Sequence, residues 1–341
     1  MNKKTMRLGT LLLMAALFLS ACGAGAGKSS DAPAGGSEAS VAQVWKLTIV
    51  QPPEKLEYEE GETFDPAGVV INAKLKDGSM LENVAYEGII VDQPLTRTSL
   101  FAKFVYGGET VEQNIKVTLK GNREEYSVAG TRETAGSPLA GKVIFWLGSS
   151  VTEGASSGQE SMADFLAKKH GAQCIKEAVS GTTLADRANS SYVSRLDQYL
   201  ASDERAGHVD AFICQLSTND KGFPDGFGAV TPADVRDAAA FDTATTFGAM
   251  EYIIATAKGT CPVYFYTNPP MDDENYETMV QALEELAEKW GVTIIDLYRD
   301  QAFNDISEEE RALYMADNIH PTKAGYREWW LPKFEEALSG I

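Results

Sequence analysis

The sequence predicts an α/β protein, a mostly parallel sheet covered by helices on both faces, preceded by a small all-β module. Three observations carry this reading. From Pro138 onward, strand-like apolar runs alternate with helix-like patterns. Between Trp45 and Lys120, short apolar runs are punctuated by turn dipeptides. Segments bearing serine, asparagine, aspartate and histidine fall beyond the strands of the second region, where a parallel sheet presents its ligand site.

In chain order, residues 1–21 read as a targeting segment rather than as fold. Lys3, Lys4 and Arg7 make a basic start and Leu8 to Leu19 is apolar, too short for a spanning helix of about 20 residues. Leu19-Ser20-Ala21-Cys22 resembles a bacterial lipobox, which implies lipidation of Cys22; an ordinary secretory signal cut nearby is the alternative. Both imply export. Residues 22–44 form a tether: Ser29 to Ala42 is rich in Ser, Gly, Ala and Pro, a composition that buries too little surface to offset its ordering entropy.

Residues 45–120 form the all-β module. Val69-Val70-Ile71 and Phe101 to Val105 are strand-like, and Asp77-Gly78 and Gly107-Gly108 favour hairpin turns. The stretch Pro53 to Val69, with Tyr58-Glu59-Glu60-Gly61-Glu62 and Phe64-Asp65-Pro66, resembles the signature of bacterial Ig-like surface domains. That resemblance implies a spacer or a weak glycan-binding and adhesion unit, and the spacer is the expectation here. Residues 121–137 are polar and aperiodic and are read as a linker.

Residues 138–341 form the α/β domain. Its expected strands are Lys142–Leu147, Gln173–Glu177, Ala211–Leu216, Pro262–Tyr266 and Thr293–Leu297. Between them, apolar residues recur at spacings of three and four. Such repeats occur around Phe165, from Tyr192 to Leu200, from Phe247 to Ile254 and from Met279 to Trp290, marking one buried face per helix.

A serine hydroxyl is a poor nucleophile until a base removes its proton, and the base needs an orienting partner. Ser150, after the first strand in Gly148-Ser149-Ser150-Val151-Thr152, is the candidate nucleophile, with Gly148 expected to allow a tight turn. His320 is the candidate base and Asp317, three residues earlier, its orienting carboxylate. The Ser150 backbone N–H, Gly181 and the Asn219 side-chain amide are the candidate donors to a developing oxyanion. Taken singly, each could be a loop or cap residue.

Together, Gly148 to Thr152, Gly181, Asn219 in Ser217-Thr218-Asn219-Asp220, and Asp317-x-x-His320 resemble the four blocks of the SGNH (GDSL) hydrolases, in order, over residues 140–341. The resemblance implies a flavodoxin-like α/β/α sandwich, ester hydrolysis without a metal, and the roles just assigned. Ser149 stands where the family usually has aspartate, and Ser217 where it often has glycine. These departures look closer to carbohydrate-active acyl esterases than to the thioesterase and lipase-like branches.

Other candidates are weaker. His170, at a helix end, and His208, in a polar turn, read as surface histidines without a carboxylate at a telling spacing. Arg195 reads as a surface ion pair rather than a substrate contact. The 221–241 stretch reads as a lid, a binding loop or a surface excursion. Thr267-Asn268-Pro269-Pro270 reads as a cleft border or a plain turn. Cys174, Cys214 and Cys261 lie in or beside apolar runs and are expected to be buried free thiols. With three histidines and neither CxxC nor HExxH, no metal or other cofactor is expected.

The formal net charge is −19, and without residues 1–21 the chain has 27 basic against 49 acidic residues, a net −22. Such a surface argues against nucleic acid as a partner. The expectation is therefore an exported serine esterase held at the extracellular face by a lipid anchor. It would act on an acylated small molecule or polysaccharide, with acetyl the favoured group. An O-acyltransferase using the same serine and a non-catalytic glycan-binding lipoprotein are the alternatives.

Overall fold

The computed structural model describes residues 43–202 and 209–341, so residues 1–21, Cys22, nearly all of the tether and His208 lie outside the described residues. Residues 43–341 form one compact unit.

Short strands with one buried face build the β region. In one sheet β1 (Val44–Gln51) pairs antiparallel with β3 (Val70–Leu75), which pairs with β4 (Met80–Leu81). β2 (Glu57–Glu59) precedes β3 in sequence and pairs in parallel with β8 (Lys116–Thr118). The third group is antiparallel, β5 (Gly88–Ile90), β6 (Phe101–Tyr106) and β7 (Glu109–Asn114). Gly107 and Gly108 both have positive φ, +58° and +79°, so the β6–β7 hairpin closes in the two-residue turn that glycine permits. Leu47, Tyr58, Phe64, Ile71, Leu95 and Phe104 meet in a core of their own.

The 121–137 stretch packs onto the α/β region rather than hanging free. It winds into two 3₁₀ turns, and Ser127, Thr131 and Ser137 are buried. Its polar groups find partners: Val128 N donates to Glu160 (2.7 Å) and Thr131 Oγ1 to the Ser127 carbonyl (3.1 Å).

The sheet of the α/β region is wholly parallel: β9 (Val143–Gly148), β10 (Gln173–Ala178), β11 (Ala211–Gln215), β12 (Val263–Tyr266) and β13 (Thr293–Ile295), in spatial order β10-β9-β11-β12-β13. Every residue of β11 and β12 is buried, as a sheet covered on both faces requires. Alternate side chains serve opposite cores. Phe145, Leu147, Phe212, Cys214 and Phe265 face α3 (Tyr192–Ser202), α4 (Thr246–Lys258) and α5 (Glu274–Trp290). Ile144, Trp146, Ile213, Tyr264 and Tyr266 face α2 (Met162–His170) and α8 (Leu331–Leu338). The result is the flavodoxin-like three-layer α/β/α sandwich. Its strand order reverses at β9, which places the switch point between β9 and β11. Cys174, Cys214 and Cys261 are free thiols, two of them buried.

Short helices complete the site region: α1 (Ser150–Glu153), α6 (Gln301–Asn304), α7 (Glu308–Tyr314) and a π turn at Gly325–Trp330 that leads into α8.

The 221–241 stretch is folded down by aromatic and ionic anchors. Phe227 stacks on Phe247 at 5.4 Å, and Phe241 packs edge-on against Trp290 at 6.0 Å. Beneath it, fully buried Glu251 pairs with Lys289 and accepts from Thr231 N (2.9 Å). Removing one partner of a buried ion pair leaves an uncompensated charge. Lys289→Met should therefore lower stability by about 3–5 kcal/mol in denaturant unfolding. A loss below about 1 kcal/mol would show that Glu251 is not left as an uncompensated buried charge.

Candidate active site

The turn between β9 and α1 is built around a missing side chain. A Cβ on Gly148 would lie 1.6 Å from Thr152 Oγ1 and 2.4 Å from Thr152 Cβ. Gly148 is absent from the positive-φ glycines, so the expected tight turn is not its reason; room for Thr152 is. Ser149 occupies the N-cap of α1 but makes no side-chain cap. Gln215, fully buried at the end of β11, takes over. Its Oε1 accepts from Ser149 N (2.9 Å), Thr152 N (3.3 Å) and Thr152 Oγ1 (2.9 Å). With its hydrogen given to Gln215, Thr152 Oγ1 accepts from Tyr266 OH at 2.6 Å. Ser150 is the first residue of α1 and is 8% exposed.

From the other end of the chain, His320 Nε2 lies 2.8 Å from Ser150 Oγ. His320 Nδ1 lies 2.8 Å from Asp317 Oδ2 and 3.1 Å from Oδ1. A carboxylate accepts only, so Nδ1 carries the proton and Nε2 is the acceptor for the serine hydroxyl. The Asp-x-x-His spacing has a local cause. Asp317 Oδ1 also accepts the backbone N–H of Ile319 (2.7 Å) and His320 (2.8 Å), folding the segment so that ring and carboxylate meet. Burial alone would raise the Asp317 carboxyl, but hydrogen bonds from the His320 ring and from these two N–H groups outweigh it and bring it to about 2. Asn268 Nδ2 donates to the Ile319 carbonyl (2.8 Å), and Ala316 N to the His320 carbonyl (2.8 Å). The Thr267–Pro270 segment thus supports the histidine loop.

The expected oxyanion donors sit on two loops tied together. Gly181 has φ +78° with no atom within 4 Å of a Cβ position, so the backbone demands glycine and the face is open. Asn219 Nδ2 donates one hydrogen to the Thr182 carbonyl (2.8 Å), which orients the amide and leaves its second hydrogen. Asp220 is buried and accepts from Leu184 N (2.7 Å), Ala185 N (3.3 Å) and Thr246 Oγ1 (3.1 Å), clamping the β10 and β11 loops. Burial pushes its carboxyl up despite these bonds.

Arg195 corrects the sequence reading. It is buried, not in a surface ion pair, and donates to the carbonyls of Gly148 (2.7 Å), Glu177 (2.5 Å) and Ser190 (3.0 Å) and to Thr182 Oγ1 (3.2 Å). It thereby joins the ends of β9 and β10 to the Gly181 loop. Its partners are three main-chain carbonyls and one threonine hydroxyl, and nothing in the local sequence signals them. Gln215 escaped notice for a similar reason, as the polar last residue of an apolar strand.

His170 also differs from the expected surface histidine. Its side chain is 9% exposed, with Nδ1 2.7 Å from Ser137 Oγ and Nε2 2.5 Å from Glu335 Oε1. The residue types mimic a triad, but this cluster lies beside the amino ends of β9 and β10, away from the switch point. There Ser137 Oγ caps a turn by accepting from Leu139 N (3.2 Å).

Residues 146–328, more than half of the chain, match the GDSL-like Lipase/Acylhydrolase family. Among curated proteins no relative matches. Several solved structures are similar at low identity. A Lactobacillus plantarum protein is 20% identical with a TM-score of 0.46, covering 59% of this chain and 98% of its own. A member of the lipolytic protein G-D-S-L family from Veillonella parvula is 15% identical, TM-score 0.43, covering 59% and 100%. An acetylxylan esterase from Geobacillus stearothermophilus is 14% identical, TM-score 0.39, covering 59% and 95%. The switch-point position of the serine, the Asp-x-x-His loop and the family match agree, and the chain belongs to the GDSL-like lipase/acylhydrolase family.

Proposed function

We propose that the protein is an exported serine esterase, lipid-anchored through Cys22, that removes short acyl groups, acetyl above all, from carbohydrate through an acyl-enzyme. The observation that carries the chemistry is the continuous hydrogen-bonded line Ser150 Oγ, His320 Nε2, His320 Nδ1, Asp317 Oδ2. In this reading His320 takes the Ser150 proton as Oγ attacks the ester carbonyl carbon. The oxyanion is met by the N–H groups of Ser150 and Gly181 and by the remaining Asn219 amide hydrogen. When the intermediate collapses, His320 gives its proton to the departing alkoxide. Water then attacks the acyl-enzyme with His320 as base, releasing the acid and restoring Ser150. Asp317, ionised far below neutral pH, stabilises the imidazolium.

The substrate class rests on context. The loops that carry Gly181 and Asn219 bear small polar side chains, Thr182, Ser217 and Asn219, joined by hydrogen bonds of Asn219 N to Ser217 Oγ and of Asn219 Nδ2 to the Thr182 carbonyl, a setting that suits a short acyl group and a hydroxylated leaving group. The 45–120 region, read as Ig-like, and the expected anchor suit a substrate outside the cell.

Turnover of p-nitrophenyl acetate tests the chemistry. Ser150→Ala should lower kcat by on the order of 10⁴-fold or more. Equal activity in both proteins would remove Ser150 from the mechanism. Asn219→Ala should cost about 10²–10³-fold in kcat, and an unchanged kcat would exclude its amide as an oxyanion donor. Product analysis with and without a sugar acceptor separates hydrolysis from acyl transfer.

Asp317 also links stability to pH. Its carboxyl is held at about 2, below its ordinary value of 3.8. The stabilisation is therefore complete above pH 4 and lost as pH falls toward 2. Asp317→Asn should lower the melting temperature at pH 6, and the two proteins should converge near pH 2. A constant difference across that range would contradict the assignment.

A further inference from the structure

We infer that the β region and the connector behind it are part of the catalytic apparatus, with Arg97 and Asn122 acting as positioning residues for the Asp317–His320 loop. This rests on the site reading above. Arg97 belongs to the β region, two residues after Leu95, which is buried in that region's core. Their segment is tied to the turn after β2 by Gly61 N donating to Leu95 O and Leu95 N to Glu62 O, both 2.8 Å. From this base the guanidinium reaches the end of α7. Nη1 donates to the carbonyls of Met315 (2.7 Å) and Ala316 (2.8 Å), and Nη2 to that of Ala312 (3.0 Å). These carbonyls lie where a helix end leaves acceptors without intrahelical partners. Ala316 is the residue before Asp317. Clefts of about 540 Å³ and 450 Å³ flank the guanidinium, and Arg97 lines both, so it stands as a strut between them.

Asn122 holds the other side of the same loop. Its Oδ1 accepts from Lys323 N (2.9 Å), three residues after His320, and its Nδ2 donates to the Ser156 carbonyl (2.6 Å), six residues after Ser150. One connector side chain thus spans the segments that follow the nucleophile and the base. Gly121 lets the connector approach this closely, since a Cβ there would lie 2.0 Å from the Leu313 carbonyl and 2.4 Å from Thr322 Oγ1. Arg97, Gly121 and Asn122 all precede the 146–328 stretch that matches the family, so part of the brace on the histidine loop lies outside that stretch.

A base displaced by about 1 Å from its nucleophile can cost on the order of 10²-fold in rate while leaving substrate affinity alone. In the full chain, Arg97→Ala and Asn122→Ala should each lower kcat for p-nitrophenyl acetate by about 10–100-fold with KM within about twofold. Arg97→Lys, which keeps the charge but not the planar fork, should recover only part of the loss. Lys103→Ala, which breaks an exposed β-region ion pair with Glu112, should match the wild type. The Arg97→Lys and Asn122→Ala variants decide the matter if Arg97→Ala does not fold. The proposal is overturned if these two keep wild-type kcat while Ser150→Ala is dead, or if Lys103→Ala loses as much as they do. An active Ser150→Ala overturns the site itself, and this positioning role with it.

Discussion

Ser150 Oγ and His320 Nε2 stand 2.8 Å apart although 170 residues separate them in sequence, and the surrounding structure maintains that distance. Proton transfer requires hydrogen-bond reach, so both segments must be held to a fraction of an ångström. On the serine side the restraint comes from the sheet. β11 supplies Gln215 to the start of α1, β12 supplies Tyr266 to Thr152, and the π turn supplies Tyr326, whose hydroxyl donates to the Val151 carbonyl at 2.5 Å. On the histidine side it comes from Asp317, Asn268 and the pairing of Met315 with Pro321. The parallel sheet makes the meeting possible because loops after β9 and β11 open on the same edge at the switch point.

Charges near the site divide by burial. Arg195 and Asp220 are buried, and their hydrogen-bonding capacity is spent largely on backbone groups of neighbouring loops. Such groups fix loop geometry, because a buried charge left unsatisfied is costly. Asp317 is different: its side chain is 54% exposed and stays ionised through hydrogen bonds to its donors. The carboxylate hydrogen-bonded to His320 is thus set by a local turn and not by deep burial.

Much of this was legible in the sequence because the signals were local. Apolar runs such as Val143 to Leu147 and Ala211 to Leu216 mark strands covered on both faces, and the residues that follow them mark the cleft. Ser150 and the Asp317–His320 pair were recognisable from residue type, spacing and order. What escaped depends on contacts between distant elements. Arg195 looks like any helix arginine until β9 and β10 bring their carbonyls to it. His170 finds Glu335 165 residues away. The polar connector shows no periodicity because its hydrogen bonds go to the α/β region. Gly148 was expected to allow a tight turn, but its role, leaving space for Thr152, follows only from the packed structure.

The central claim is that Ser150, and no other serine, is the activated nucleophile. Reaction with a fluorophosphonate, in which an activated serine oxygen displaces fluoride from phosphorus, followed by peptide mass spectrometry, tests it most directly. One adduct on Ser150, lost in His320→Ala, is the expected result. Labelling at Ser137, whose hydroxyl also contacts a histidine, or retention of the Ser150 adduct without His320, would contradict the account.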